Sequence, residues 1–247
     1  MYDQRSKKPI QGRDRLILAL DVPDRATAMS TIDALGDSVN FYKIGLELFM
    51  SGGYFELVER LLERGKRVFC DLKFFDVPET VGRAVSQIKD RGVDFATVHG
   101  NDSMLRAAVE RKNGLKILAV TVLTSLDRAD LRDLGFECDV EALVLSRAKR
   151  ALEIGCDGVI SSGLEVSALR KDLGERFIVV VPGIRPVDNR QEDDQKRIVT
   201  PAQAFRNGAD YIVVGRPIRD ARDPRAKAEE IQAEIAAVFN SEVSQLK

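Results

Sequence analysis

The sequence predicts an α/β protein built as one (β/α)8 TIM barrel, on three features. Short β-branched runs alternate with longer amphipathic runs eight times along 247 residues. Glycine falls where seven of the amphipathic runs must stop before the next strand, as expected just past a helix C-terminus. No Gly-x-Gly-x-x-Gly follows the first strand, which weakens the alternative of an open, doubly wound dinucleotide-binding sheet.

The first strand is expected at residues 15–20 and ends in Asp21, with a helix at 25–35 stopped by Gly36. The second, 41–45, carries Lys43 between Tyr42 and Ile44; an ammonium in an otherwise apolar strand must meet an anion or a polar ligand in the barrel mouth. A helix at 55–64 ends at Gly65, and the third strand, 67–72, runs into Asp71-Leu72-Lys73-Phe74-Phe75-Asp76. Successive strand residues alternate faces, so Asp71 and Lys73 share one. Opposite charges at the end of a buried parallel strand need each other and call for a ligand; the plainer readings are a structural ion pair, with Asp76 only a cap before Pro78.

The helix at 80–91, stopped by Gly92, leads to a fourth strand at 95–98 followed by His99, the only histidine. With no Cys or His partner at ligand spacing, His99 reads as a packing or supporting residue rather than a base or metal ligand. The helix at 103–112 with Gly114, the strand at 116–123 with Thr124 and Ser125 after it, the helix at 140–154 with Gly155 and the strand at 158–161 continue the alternation. A helix at 165–173 with Gly174, a strand at 177–181, a helix at 201–207 with Gly208, a strand at 211–214 and a helix at 223–239 complete it. For Asp21 alone, a turn or cap before Pro23 and Asp24 is as good a reading as a functional one.

Chemistry in such a barrel belongs at the C-terminal ends of the strands, and the loops after strands seven and eight are its recurrent phosphate site. Here those loops read Pro182-Gly183-Ile184-Arg185-Pro186 and Gly215-Arg216-Pro217-Ile218. Glycine lets backbone N–H groups approach the phosphate, a short helix adds its positive end, and arginine supplies a forked donor. Residues 187–196, charged and without hydrophobic period, read as a solvated loop or as a lid over the substrate.

Composition bounds the function. The chain has no linker and is long enough for one large core, so residues 14–247 are expected as the catalytic barrel and 1–13, polar throughout, as a flexible leader. A formal net charge of −1 favours neither nucleic acid nor an anionic membrane as partner. Cys70, Cys138 and Cys156 have neither metal-ligand spacing nor a disulfide count, which suggests a reducing cytoplasm; no run has secretory or transmembrane character.

Taken together, Leu18-Ala19-Leu20-Asp21, Tyr42-Lys43-Ile44-Gly45, Asp71-x-Lys73-x-x-Asp76 with Pro78 and Thr80, Leu123-Thr124-Ser125, Pro182-Gly183-Ile184-Arg185-Pro186, Asp194-Gln195 with Arg197-Ile198, and Gly215-Arg216-Pro217 resemble, in order, the signatures of the orotidine 5′-phosphate decarboxylases. The resemblance spans nearly the whole chain. It implies a cofactor-free and metal-free decarboxylation to UMP by a network of Lys43, Asp71, Lys73 and Asp76. It also implies a homodimer in which Asp76 and Thr80 cross into the partner's site. Asp21 and Lys43 would bind ribose, Thr124 and Gln195 the pyrimidine, and Arg185, Gly215 and Arg216 the phosphate, which Gln195 would also touch.

The sequence departs from that pattern at Phe75 and Glu79, where the family commonly has His and Asn, at Asn101-Asp102-Ser103, where it often has a Gly pair, and in an Arg185-to-Gln195 spacing one residue longer. Two rival readings remain: a magnesium-dependent sugar-phosphate decarboxylase or synthase of the same superfamily, and a non-catalytic nucleotide-phosphate binding barrel. The magnesium-dependent relatives place an acid where this chain has Lys43. A degenerate barrel would be expected to have lost Lys73 or an aspartate.

Overall fold

A computed structural model describes residues 5–185 and 197–240. Eight parallel strands close into a barrel in sequence order: β1 (Leu16–Ala19), β2 (Phe41–Gly45), β3 (Arg67–Phe74), β4 (Phe95–His99), β5 (Lys116–Val120), β6 (Gly158–Ile160), β7 (Ile178–Val181) and β8 (Tyr211–Val214), with β8 pairing back onto β1. Around them lie α1 (Arg25–Leu35), α2 (Leu46–Met50), α3 (Tyr54–Glu63), α4 (Pro78–Ile88), α5 (Asp102–Arg111), α6 (Arg128–Asp133), α7 (Val140–Ile154), α8 (Val166–Leu173), α9 (Pro201–Arg206), α10 (Arg216–Arg219) and α11 (Pro224–Asn240). No helix among the described residues is long and apolar enough to cross a membrane.

The alternation of side chains builds two cores at once. Even-numbered residues Leu16, Leu18, Tyr42, Ile44, Val68, Cys70, Ala96 and Val98 point outward into the layer beneath the helices. Their odd-numbered neighbours Ile17, Ala19, Phe41, Phe69 and Phe95 fill the barrel interior with Tyr211. Phe95 stands at the centre of that plug, its ring centroid 5.1 Å from Phe41, 5.8 Å from Phe69 and 5.2 Å from Tyr211. Arg67 closes the floor: its guanidinium lies 4.3 Å from the Phe41 ring centroid while pairing with Asp94 at 2.6 Å and Asp14 at 3.2 Å. With its lower half filled by rings, the barrel leaves space only at the C-terminal ends of its strands.

Local signals set the element boundaries. Asp24 caps α1 by accepting from the Thr27 N–H at 2.8 Å, so the turn before α1 needs nothing from Asp21. Thr200 caps α9 ahead of Pro201, and Asp127 with Asp130 forms a reciprocal capping box on α6. All seven glycines expected at helix ends have positive φ, the conformation that ends a helix without a Cβ clash.

Three short helices of four to six residues, α2, α6 and α10, fall outside the eight that periodicity predicts. β5 stops at Val120 rather than 123, where its chain leaves the sheet to form the site loop. β3 runs on to Phe74 through an irregularity between Cys70 and Phe74 in its pairing with β4.

Where the N-terminal segment is described, Arg5, Ser6 and Lys8 are bonded to the rest of the chain. Ser6 is buried and donates to Asp210, Lys8 pairs with Asp210 at 3.0 Å, and Arg5 donates to the Val238 carbonyl. A polar composition conceals this, since the partners lie about two hundred residues away in sequence. Asp210 itself is fully buried. It also accepts from Arg170 at 2.8 Å and from the Val179 N–H at 2.8 Å, so one carboxylate joins the leader, α8, β7 and β8. Asp210→Ala leaves the Arg170 guanidinium buried without its anion and is expected to cost about 3–5 kcal/mol of stability, read by chemical denaturation; a loss under about 1 kcal/mol would mean the leader and α8 are held by other contacts.

Candidate active site

The site grows out of the inward, odd-numbered register of β1 to β4. Above the aromatic plug, the next inward positions are Lys43 on β2, Asp71 and Lys73 on β3 and Thr97 on β4, with Asp21 just beyond β1. Lys43 Nζ lies 3.2 Å from Asp21 Oδ1 and 3.2 Å from Asp71 Oδ2, and Lys73 Nζ lies 2.8 Å from the same Asp71 oxygen. Acid and base therefore alternate across the barrel mouth as Asp21, Lys43, Asp71, Lys73. The paired reading of Asp71 and Lys73 holds, and Asp21 turns its carboxylate to Lys43 rather than to a helix cap.

Thr97, which sequence reasoning passed over, organises this array. Its hydroxyl donates to Asp71 Oδ1 at 2.9 Å while its oxygen accepts the Lys73 backbone N–H at 2.9 Å. That second bond holds Lys73 at φ +46°, a left-handed conformation that a non-glycine residue adopts at a cost of about 1–3 kcal/mol. The irregularity in β3 and this strained residue together aim the ammonium at Asp71 and the cavity. A threonine two residues from Phe95 on the inward face was the available signal for Thr97.

Electrostatics keep Asp71 and Lys43 ionised. Burial acts to raise the Asp71 carboxyl, but Lys43, Lys73 and the bonds from Lys73 and Thr97 outweigh it and hold it down at about 2. Burial likewise acts to lower Lys43, and Asp71 and Asp21 overcome it to leave its ammonium above the ordinary lysine value. His99 differs: burial, then the charges of Arg147 and Lys73, push its imidazole below the usual range, so it is neutral near pH 7. It packs edge-on against Phe75, with ring centroids 5.0 Å apart, which suits the packing role expected of it.

Asp21, Lys43, Asp71, Lys73, Thr124, Arg185, Gly215 and Arg216 line one cavity of about 460 Å³. The two ends of that cavity differ. Lys43, Asp71 and Lys73 stand on one side, and Gly183, Arg185, Gly215 and Arg216 gather on the loops after β7 and β8. Arg219, one turn beyond Arg216 on α10, also lines the cavity and donates to the Asp21 carbonyl, fastening the β8 loop to the β1 loop. It was missed because a four-residue helix announces no face.

Asp76 and Thr80 stand apart from that cavity. Asp76 is exposed on the β3–α4 connection and accepts from the Val77 N–H at 2.6 Å; Thr80 lies half-buried in the first turns of α4. Gln195, with the rest of the expected lid and Pro186, lies outside the described residues. The departures have intrachain uses: Phe75 covers His99, and Glu79 accepts from Arg111 on α5 at 2.9 Å.

Comparison with known proteins agrees with this geometry. A model of the Orotidine 5'-phosphate decarboxylase / HUMPS family matches residues 14–231. An orotidine 5'-phosphate decarboxylase of Methylococcus capsulatus is 67% identical over 234 residues, 95% of this chain and 97% of that protein. One from Stenotrophomonas maltophilia is 50% identical over 95% of this chain and 98% of its own length. The crystal structure of the orotidine 5'-phosphate decarboxylase of Lactobacillus acidophilus superposes with a TM-score of 0.79 at 36% identity, covering 90% of this chain and 99% of that one. The likeness takes in the closed barrel and every strand end that carries the charged array, and the chain belongs to the orotidine 5′-phosphate decarboxylase family.

Proposed function

We propose that this chain decarboxylates orotidine 5′-phosphate to UMP in pyrimidine biosynthesis, without metal or organic cofactor, with Lys73 as the proton donor to C6. The observation that carries the reading is the alternating array Asp21, Lys43, Asp71, Lys73 at one side of a cavity whose other side presents Arg185 and Arg216. A nucleotide monophosphate has that polarity, with an anionic phosphate at one end and a reacting ring at the other.

Loss of CO2 from C6 leaves an electron pair that no adjacent carbonyl is placed to delocalise. A fixed cation at that carbon stabilises the developing charge, and Lys73, held by Asp71 and by its Thr97-anchored backbone, is preorganised for the task. As the C6–CO2 bond breaks, its electron pair stays on C6 and takes a proton from the ammonium. Asp71, ionised down to about pH 2, faces the departing carboxylate. Two like charges about 4 Å apart at an effective dielectric of about 20 repel by about 4 kcal/mol, a repulsion relieved as neutral CO2 leaves. In this reading Asp21 and Lys43 bind ribose, Thr124 and Gln195 the pyrimidine, and Arg185, Gly215 and Arg216 the phosphate.

The magnesium-dependent alternative is disfavoured by Lys43. Its ammonium occupies the space between Asp21 and Asp71 at 3.2 Å from each, where a divalent cation would have to compete with it for both carboxylates. An absorbance assay on purified protein is expected to show orotidine 5′-phosphate consumed at a rate unchanged by a chelator; processing of a keto-sugar phosphate with magnesium, and of no orotidine 5′-phosphate, would reverse the assignment. Lys73→Ala is expected to abolish turnover while UMP still binds. Near-normal turnover in that variant would remove Lys73 from the proton-donor role.

The proposed assembly is an isologous homodimer with shared sites, in a reducing cytoplasm suited to the free thiols of Cys70, Cys138 and Cys156. Supporting it, Asp76 does not line its own cavity and lies on a connection where Phe75 and Val77 are 63% and 62% exposed. The connection after the neighbouring strand β2 likewise exposes Leu46, Phe49 and Met50. If Asp76 completes the partner's site, Lys73→Ala and Asp76→Ala proteins, each inactive alone, form heterodimers with one site free of both substitutions. Random exchange should then restore about a quarter of the parental activity per total site. Verified exchange with no recovered turnover would place Asp76 in its own subunit's chemistry or outside it.

A further inference from the structure

The returning segment 197–199 carries a buried arginine that neither the array nor the phosphate loops use. Arg197 and Glu165, at the N-terminus of α8, are both more than nine-tenths buried and pair through Nη1 and Oε1. The other arm of the guanidinium, Nη2, donates to the Leu123 carbonyl at 3.1 Å and approaches the Val122 carbonyl at 3.5 Å. Those carbonyls belong to the β5–α6 loop, whose residues Val122 to Ser125 line the cavity, and Leu123 also accepts from the Leu126 N–H to close the loop's turn.

Two residues further on, Val199 binds the opposite end of the site. Its carbonyl accepts the Arg185 N–H at 3.0 Å and its N–H donates to the Gly183 carbonyl at 3.4 Å, forming a parallel bridge beside the β7 exit. Gly163, in the loop after β6, is packed so closely beneath it that a Cβ there would lie 2.3 Å from Val199 Cγ2, and Asn207 holds the Gly163 carbonyl at 2.8 Å. Three residues of chain thus touch the loops after β5, β6 and β7. The Arg197 side chain grips the first, and the Val199 backbone grips the last.

We propose that Arg197 and Glu165 are positioning residues that fix the β5–α6 loop against the β7 loop, setting the span between the pyrimidine end and the phosphate end of the site. A forked guanidinium suits the task because it can meet a carboxylate and a carbonyl at once in fixed directions, which an ammonium cannot do. Glu165 makes the buried charge tolerable, and Ser161 Oγ at 3.5 Å helps to orient it. The clamp does not touch substrate. It acts through Leu123 and Thr124, and so rests on the assignment of Thr124 to the pyrimidine end.

The consequence is specific to ligands with a base. In Arg197→Lys, which keeps the charge but loses the fork, and in the double variant Arg197→Met with Glu165→Met, which replaces the pair by apolar groups, the inhibition constant of UMP should rise by about tenfold. The inhibition constant of ribose 5-phosphate should stay within about twofold, because the Val199 backbone still holds Arg185. KM for orotidine 5′-phosphate should rise with the UMP constant, and the lysine variant should be the less affected of the two. Folding is checked by thermal melts and gel filtration. Equal weakening of both ligands, or no weakening of either in folded protein, overturns the clamp; failure of both variants to fold also overturns it, by making the pair a requirement of the barrel. A parent protein that binds UMP no better than ribose 5-phosphate would instead void the assignment of Thr124, a result distinct from any of these.

Discussion

The sharing of Asp71 between two lysines is the interaction on which the rest of the structure depends. Each of these charges would be costly inside a barrel mouth by itself, and an isolated buried ion neutralises or drags water in with it. Arranged as Asp21, Lys43, Asp71, Lys73 at 2.8–3.2 Å, two acids and two bases compensate one another, and Asp71 remains anionic down to about pH 2. The barrel provides what the array requires. Strands β1, β2 and β3 are adjacent and in parallel register, so Ala19 sits beside Lys43, and Gly45 beside Asp71, without any loop having to be ordered first.

The floor beneath the array explains its rigidity. Phe41, Phe69, Phe95 and Tyr211 interlock at centroid distances of 5.1–5.9 Å, and the Arg67 guanidinium, neutralised by Asp94 and Asp14, seals them from below. Arg67, Phe69, Asp71 and Lys73 are one face of one strand read upward: a sealing cation, an apolar plug, a shared anion and the cation paired with it. Close-packed interiors transmit displacement, so Thr97 on the neighbouring strand can hold Lys73 in a strained conformation that the local sequence disfavours. In the decarboxylase reading the strain has a use, because a preorganised ammonium does not have to reorient when charge appears on C6.

The loops divide the remaining work. One side of the cavity, which the proposed function gives to phosphate, lies on short turns after β7 and β8 that the backbone fixes: Arg185 is bonded to Val199, and Arg216 begins a four-residue helix behind Gly215. Another part of the lining is built by the loop after β5, which leaves the sheet three residues earlier than its apolar run suggests and is held from behind by a buried ion pair rather than by strand pairing. Apolar side chains after β2 and β3 remain exposed, while Ser6 and Lys8 are bonded to Asp210.

By itself the sequence determined the barrel and the inward register of its strands. Eight alternations, glycines at the helix ends, and charges two residues apart on apolar strands are local patterns, and strand and helix periods convert them directly into faces. Asp71 with Lys73, Lys43 in its strand, and the two loops that carry Gly and Arg after the last strands were legible from such local patterns. Only the tertiary structure decided the partners. It turned Asp21 to Lys43 rather than to a cap, bonded the Lys73 N–H to Thr97, joined Ser6 and Lys8 to Asp210, and joined Arg197 to Glu165 and to the Leu123 carbonyl. Each of these contacts joins residues from 22 to more than 200 positions apart. No local period encodes such a pairing; it exists only once the closed sheet has brought the strand ends, and residues as far apart as Ser6 and Asp210, together.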